Sequence, residues 1–181
     1  QRTIVKRTTR SLPVQKWATP ETKQFITPGN LDNGLNEARI SLPLAMTQGL
    51  AGDNFNGSKF RILRVRVYYD YSDLTPTSAI RMGLGMSKDP SVTSLFSTIP
   101  GQETTLPANY RSVTMLKEKM LKTDGSDHAG IWEWTGPLNV EMNDAGTLVR
   151  KNNLTLQINS ESLGASLAAS SRTRVEVMFS G

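Results

Sequence analysis

The stretch from residue 60 to residue 71, FRILRVRVYYDY, constrains the fold of this chain more than any other feature. From its fourth residue onward, branched and aromatic residues alternate with polar ones, which is typical of a strand with one buried and one solvated face. The predicted core face carries Leu63, Val65, Val67, Tyr69 and Tyr71, and the predicted solvent face carries Arg64, Arg66, Tyr68 and Asp70. Because the solvent face opens with two arginines, we interpret this strand as both a core element and a surface that can hold a polyanion.

Seven other segments also have strand character, and almost none has helical character. With the opening stretch, the eight predicted strands are 21–26, 37–42, 60–71, 79–86, 111–122, 131–135, 153–160 and 173–179, and a single helical turn is predicted at 44–49. A parallel sheet would need helical crossovers, which this pattern lacks. We therefore predict an all-β fold, an eight-stranded antiparallel jelly-roll sandwich.

The predicted topology places a third arginine beside the first two. In a jelly roll the last strand lies between the first and third strands of one sheet, so Arg174 would join Arg64 and Arg66 in one contiguous patch. A second interpretation is that Glu176 pairs with one of these arginines, which would make the face solvated and charge-balanced. The sequence pattern leaves both interpretations open.

The net charge of +5 is confined to the N-terminal segment. Residues 1–16 contain five basic residues and no acidic residue, which leaves 16 Lys and Arg against 16 Asp and Glu in the rest of the chain. We predict two parts, a basic N-terminal arm at 1–20 and a jelly-roll domain at 21–181. A basic arm favours binding to nucleic acid or to an anionic surface, although it could also serve only as a solubilising terminus. The predicted phosphate contacts in the arm are Arg2, Lys6, Arg7, Arg10 and Lys16.

Catalytic and cofactor sites find little support in the residue types present. The chain has no cysteine and a single histidine, His128, which argues against zinc ligation and against Ser-His or Cys-His catalysis. We therefore predict no enzyme activity, no catalytic residue and no cofactor. A structural calcium site built from Asp53-Asn54 or Asn143-Asp144 stays open and unassigned. No run of 18 apolar residues is present, so no membrane partner is expected.

The order of features resembles the coat proteins of small satellite viruses, in particular those of the satellite tobacco necrosis virus type. The stretches that carry the resemblance are the basic arm, KQFITPG, QGLAGDNFNGSKFRILRVRVYYDY and RSVTMLKEKMLKTD. In that family a Gly/Asp-rich loop leads into a long basic strand, and a later strand has a T-x-L-K-acid core, here Thr114, Leu116, Lys117 and Glu118. The single-jelly-roll capsids of small circular-DNA viruses share the same outline.

The resemblance implies a capsid protein that is made in the host cytoplasm and resides in the virion. It implies self-assembly into a T=1 icosahedral shell, a homo-60-mer, with the arm on a single-stranded genome for which RNA is favoured over DNA. Arms in that family usually carry more positive charge, so we also expect a further basic segment before Gln1. The alternative is a non-viral jelly-roll binding module, lectin-like or cytokine-like, although that class gives no reason for a basic arm.

Overall fold

The computed structural model describes residues 19–26, 37–47, 59–71, 80–87, 94–96, 111–121, 127, 129–160 and 173–181. Nearly all of these residues lie in strands, and one short helix follows the second strand. The elements are β1 (Glu21–Ile26), β2 (Glu37–Ser41), α1 (Leu42–Thr47), β3 (Lys59–Asp70), β4 (Ile80–Ser87), β5 (Val113–Leu121), β6 (Ala129–Met142), β7 (Val149–Lys151), β8 (Leu154–Ser160) and β9 (Thr173–Ser180).

Two antiparallel sheets form, and their strand order is that of a jelly roll. The first sheet has the order β1-β9-β3-β6-β7 and the second has the order β2-β8-β4-β5. Without the three-residue β7, each sheet holds four of the eight strands expected from the sequence, and β9 lies between β1 and β3. The predicted all-β jelly-roll sandwich is therefore confirmed. The core lies between the sheets, where the alternating apolar residues of β3, β4, β8 and β9 are almost fully buried.

A β-bulge in β3 corrects one detail of the predicted core face. The pairing of β3 with both of its neighbours shifts between Ile62 and Arg64: against β9 the extra residue is Leu63, and against β6 the extra residue lies in Gly136-Pro137 of β6. Ile62 is wholly buried, whereas Leu63 is only half-buried, contrary to the expectation that Leu63 belongs to the core face. From Val65 onward the predicted alternation holds.

Strand β6 is much longer than the predicted 131–135 because it continues through Gly136-Pro137. These two residues lie where β6 bulges against β3: Leu138 pairs with Ile62, and Thr135 pairs with Arg64. A proline has no N–H to donate, and a bulge leaves one residue unpaired, so the sheet tolerates Pro137 there. A Cβ at Gly136 would lie 2.6 Å from the carbonyl oxygen of Ile62, so the close approach of the two backbones requires glycine.

The outward positions of β4 are buried because another segment covers them. Residues 94–96 lie on this face, and the side-chain oxygen of the wholly buried Gln157 accepts a 2.6 Å hydrogen bond from the backbone N–H of Leu95. A Cβ at Gly83 would lie 2.3 Å from Cζ of Phe96, so the glycine makes room for this ring. At Gly85 a Cβ would lie 3.1 Å from the backbone oxygen of Thr114 and 3.1 Å from Cδ2 of Leu95, so both a backbone and a side chain approach closely there.

Strand β5 forms one edge of the second sheet and contacts the first sheet through lysines. The ammonium of Lys117 donates a hydrogen bond to the carbonyl oxygen of Glu133. The ammonium of Lys119 donates to the Tyr69 hydroxyl at 2.7 Å and to Asp127 at 3.2 Å. Burial lowers the pKa of Lys119, but the hydrogen bonds to these two partners outweigh it, and the pKa stands above its ordinary value.

Candidate nucleic-acid interface

The three strand arginines predicted from the sequence lie on the outward face of the first sheet. Arg64 and Arg66 are on β3, and Arg174 is on β9, opposite Tyr68 in the ladder. Arg174 therefore lies one row from Arg66, and the predicted contiguity of the three residues is observed. The predicted arm contacts Arg2, Lys6, Arg7, Arg10 and Lys16 lie outside the described residues.

The registers of the four strands place the arginines in three neighbouring cross-strand rows of this face, because residues directly opposite each other share a face; the next row beyond Tyr68 holds the exposed Asp70, opposite Ala129. We name each row by its residue on β3. The Tyr68 row contains Arg174, Tyr68 and Ile131; the Arg66 row contains Gln24, Glu176, Arg66 and Glu133; the Arg64 row contains Thr22, Met178, Arg64 and Thr135. The rows follow one another along β3, so Arg174 and Arg64 lie two rows apart.

The Arg66 row supplies two carboxylates that neutralise both β3 arginines. Arg66 donates from Nε to Glu133 at 2.7 Å, and its Nη1 lies 3.7 Å from Glu176. Arg64 places Nη2 at 3.4 Å from Glu176 and Nε at 3.9 Å from Glu133. Glu176 is only 9% exposed and also accepts a 3.0 Å hydrogen bond from the Gln24 amide. The pairing that the sequence offered as the second interpretation is therefore present, and it involves both arginines.

Hydrogen bonds raise the pKa of Arg66 above its ordinary value. The first cause is the bond that its guanidinium donates to the Tyr68 hydroxyl at 3.3 Å, and the second is the bond to Glu133. Arg66 is therefore permanently charged and held between an aromatic hydroxyl and a carboxylate. This arrangement fixes its direction and leaves fewer donors for an external phosphate.

The Tyr68 row has a different chemistry. The guanidinium carbon of Arg174 lies 4.2 Å from the centre of the Tyr68 ring, which is a cation–π contact. Among the described residues, no carboxylate oxygen lies within 4.0 Å of a nitrogen of Arg174, and Arg174 is exposed. Ile131, on the other side of Tyr68, is 59% exposed. An exposed cation, an aromatic ring and an apolar side chain thus adjoin.

The start of β1 fixes where the basic arm meets this face. Glu21 pairs with Phe179, whereas Ile26 pairs with Arg174, so the arm joins the sheet at the end opposite the Tyr68 row. Five residue steps along an antiparallel strand separate these two positions by about 17 Å. The predicted arm is therefore attached to β1 beyond the Arg64 row, and the neutralised arginines lie between this point of attachment and Arg174.

Sequence reasoning missed Glu133, Tyr68 and Ile131 as members of this face. Tyr68 was assigned to the solvent side of β3 but given no role, and Glu133 and Ile131 had no signal beyond the alternation of β6. Only the register between β6 and β3 brings Glu133 to Arg66 and Ile131 to Tyr68. That register depends on the bulge at Gly136-Pro137, which alternation alone does not reveal.

The described part of the chain contains neither a cluster of metal ligands nor a membrane-spanning helix. No group of three or more His, Cys, Asp or Glu side chains there could hold a metal ion. Asn143, one of the calcium positions left open, uses its side-chain oxygen to accept the backbone N–H groups of Thr147 and Leu148. Asp53-Asn54 and His128 lie outside the described residues. No described helix has the length and apolar character needed to cross a membrane.

Comparisons with known proteins give structural neighbours only. No protein-family model matches the sequence, and no curated protein matches it. A structure of turnip yellow mosaic virus is 13% identical, covers 99% of this chain and 89% of its own, and has a TM-score of 0.40. A structure of Desmodium yellow mottle tymovirus is also 13% identical, with coverages of 97% and 93% and a TM-score of 0.38. A structure of the empty head of turnip yellow mosaic virus is 11% identical, covers 99% and 89%, and has a TM-score of 0.35.

At these sequence identities and TM-scores, the similarity to the three virus structures assigns neither a function nor site residues to this chain. The structures named are of a different kind from the satellite tobacco necrosis virus type that the sequence resembles, so that identification stays a prediction. What the chain's own strand order defines is the class, a single jelly-roll protein. A proposal about function therefore has to be argued from the residues of the chain itself.

Proposed function

We propose that this chain is a viral capsid protein that self-assembles into a small icosahedral shell and packages a single-stranded genome. The observation that carries the proposal is the combination of a jelly-roll strand order with a net charge confined to the segment before β1. A neutral body suits close packing of many copies, because strongly charged copies would repel one another. A basic segment of Arg2, Lys6, Arg7, Arg10 and Lys16 suits phosphate neutralisation.

The finer parts of the proposal come from the sequence resemblance. They are the T=1 shell of a homo-60-mer, RNA in preference to DNA, synthesis in the host cytoplasm and a position of the arm inside the virion. We also propose that Arg64, Arg66 and Arg174 belong to the inner surface, continuing the contacts made by the arm. The proposal includes no enzymatic step and no membrane contact.

Electron microscopy of the purified chain tests the assembly. We expect closed particles of uniform size under some condition of salt and pH, and nuclease treatment should leave a protected nucleic acid inside them. A chain that stays a monodisperse monomer under every condition would contradict the capsid proposal. That outcome, together with no co-purified nucleic acid, would favour the non-viral binding module.

Removing the arm's charge tests the packaging. Replacing Arg2, Lys6, Arg7 and Arg10 by Ala should lower the packaged nucleic acid and reduce the slope of log affinity against log salt by about 3, because each phosphate neutralised on a single strand contributes about 0.7 to that slope. The matched control replaces four exposed basic residues of the body by Ala: Lys59, Arg111, Arg150 and Lys151. Equal reductions in the two variants, or unchanged packaging in the arm variant, would remove the arm from this role.

A further inference from the structure

The outward face of the first sheet is uneven in charge, and this determines where it can meet a polyanion. In the Arg66 and Arg64 rows, two arginines lie within ion-pair distance of Glu133 and Glu176, so the formal charges of the two rows cancel. The Tyr68 row carries Arg174 and, among its described members, no acidic residue. Of these three rows, only the Tyr68 row therefore carries a net positive formal charge, and the exposed Asp70 lies one row further along β3.

The guanidinium of Arg174 is held as a planar surface. It lies 4.2 Å from the centre of the Tyr68 ring, and the Tyr68 hydroxyl in turn accepts a hydrogen bond from Arg66 at 3.3 Å. The ring is thus fixed at its hydroxyl by one arginine and contacted on its face by another. Because the ring and its partner strands are ordered, little conformational entropy remains to be lost when a further planar group stacks there.

We propose that Tyr68 and Arg174 together form a stacking platform for an unpaired base of single-stranded nucleic acid, with Ile131 as its apolar rim. The inference rests on the proposed genome-packaging function and deepens it by assigning a contact to the bases as well as to the phosphates. Bases that are not paired stack on aromatic rings and on guanidinium planes, and such stacking tolerates any sequence. The charge of Arg174 is available to the adjacent phosphate at the same time.

The composition of the row distinguishes a nucleic-acid strand from other polyanions. A site for phosphate alone needs donors and charge, and the presence of Tyr68 and the 59% exposed Ile131 would add nothing to it. A duplex keeps its bases stacked inside, so it could use only the charge of Arg174. The platform therefore predicts that this face binds single strands more tightly than duplexes and that the difference depends on the bases. Arg64 and Arg66 on the same face are already neutralised by carboxylates.

Binding of the full chain to two probes tests the platform. The first probe is a labelled oligouridylate, and the second is an oligomer of the same length and charge made of abasic units. The unmodified chain should bind oligouridylate about 5–150-fold more tightly, because one stacked base contributes about 1–3 kcal/mol. Arg174→Lys, which keeps the charge but removes the plane, should reduce that ratio toward one while leaving affinity for the abasic strand within about twofold.

Two further variants separate stacking from folding. Tyr68→Phe should keep the ratio, because the ring remains and only its hydroxyl is removed, whereas Tyr68→Leu should reduce it as Arg174→Lys does. Equal binding of both probes by the unmodified chain would contradict the stacking platform. The capsid proposal would then rest on the phosphate contacts of the arm alone. Loss of abasic binding in Arg174→Lys would overturn the platform as well, because the guanidinium would then act through hydrogen bonds to phosphate and not by stacking on a base. Absence of binding to either probe, with empty particles or none, would instead contradict the packaging function itself.

Discussion

The Glu176 carboxylate offers the sharpest test of how the outward face is stabilised. It is 9% exposed, lies 3.4 Å from Arg64 and 3.7 Å from Arg66, and accepts a hydrogen bond from Gln24. Glu176→Gln keeps the size, removes the charge and replaces one of the two accepting oxygens by an NH2 donor, so the arginines or Gln24 also lose an acceptor. The charge on the two neutral rows then becomes +1.

The expected magnitude lies between two known limits. Exposed ion pairs contribute about 0–1 kcal/mol, and breaking a buried pair costs about 3–5 kcal/mol. Here the carboxylate is buried, but the side chain of Arg64 is 27% exposed and both arginines keep contacts to Glu133. We therefore expect Glu176→Gln to lower the free energy of unfolding by about 1–2 kcal/mol, which is a fall of about 2–8 °C in Tm for a chain of this size.

Thermal and urea unfolding of the dissociated chain at neutral pH measure the effect. The matched control is Glu141→Gln, which removes the same charge from the same sheet. Glu141 lies 4.0 Å from Lys59, and both side chains are well exposed, so its replacement should cost less than about 0.5 kcal/mol. Equal stability of the unmodified chain and of both variants would refute the view that Glu176 holds the two arginines. A stabilised Glu176→Gln variant would refute it more strongly.

Two further predictions concern the fold. Gly136→Ala should lower the free energy of unfolding, measured in urea, by about 3 kcal/mol. The new Cβ would lie 2.6 Å from the backbone oxygen of Ile62, which cannot move without breaking the bulge. A fall of less than about 1 kcal/mol in the free energy of unfolding would contradict this. Lys119→Met should remove the hydrogen bonds to Tyr69 and Asp127. Because the pKa of Lys119 is raised in the folded state, the stability that these bonds provide is fully present below the ordinary lysine pKa. This stability is lost as the pH rises through the raised pKa of the folded state. The stability difference between Lys119→Met and the unmodified chain should therefore be largest at neutral pH and shrink in strongly alkaline solution, and a difference independent of pH would contradict it.

Local patterns were sufficient to predict eight of the nine described strands and the place of β9 between β1 and β3, but β7 was missed and the contacts between strands needed the structure. Alternation in β3 correctly assigned Val65, Val67, Tyr69 and Tyr71 to the core, because burial of one face imposes a period of two. Leu63 was placed wrongly because a bulge changes the phase without changing the residue types. The Gly136-Pro137 pair ended the predicted strand early, since these residues usually break strands.

The sequence predicted where the three arginines of the candidate interface lie, but it did not predict which side chains they contact. Placing β9 beside β3 was enough to bring Arg174 toward Arg66, because jelly-roll topology fixes that neighbour. Arg66 forms an ion pair with Glu133, and this contact depends on the register of a third strand, β6, against β3. Registers are set by contacts between residues far apart in sequence, and no single segment contains that information.

The pairing of β1 with β9 has a consequence for the timing of biosynthesis. Among the described strands, β1 has β9 as its only neighbour in the sheet, so Glu21 finds its partner Phe179 only after almost the whole sequence has been translated. Until β9 has left the ribosome, β1 lacks its described sheet partner, so the segment before β1 is not yet anchored to the sheet through that pairing. Coupling this anchoring to the synthesis of β9 would keep products truncated before β9 from presenting the basic segment on a finished sheet.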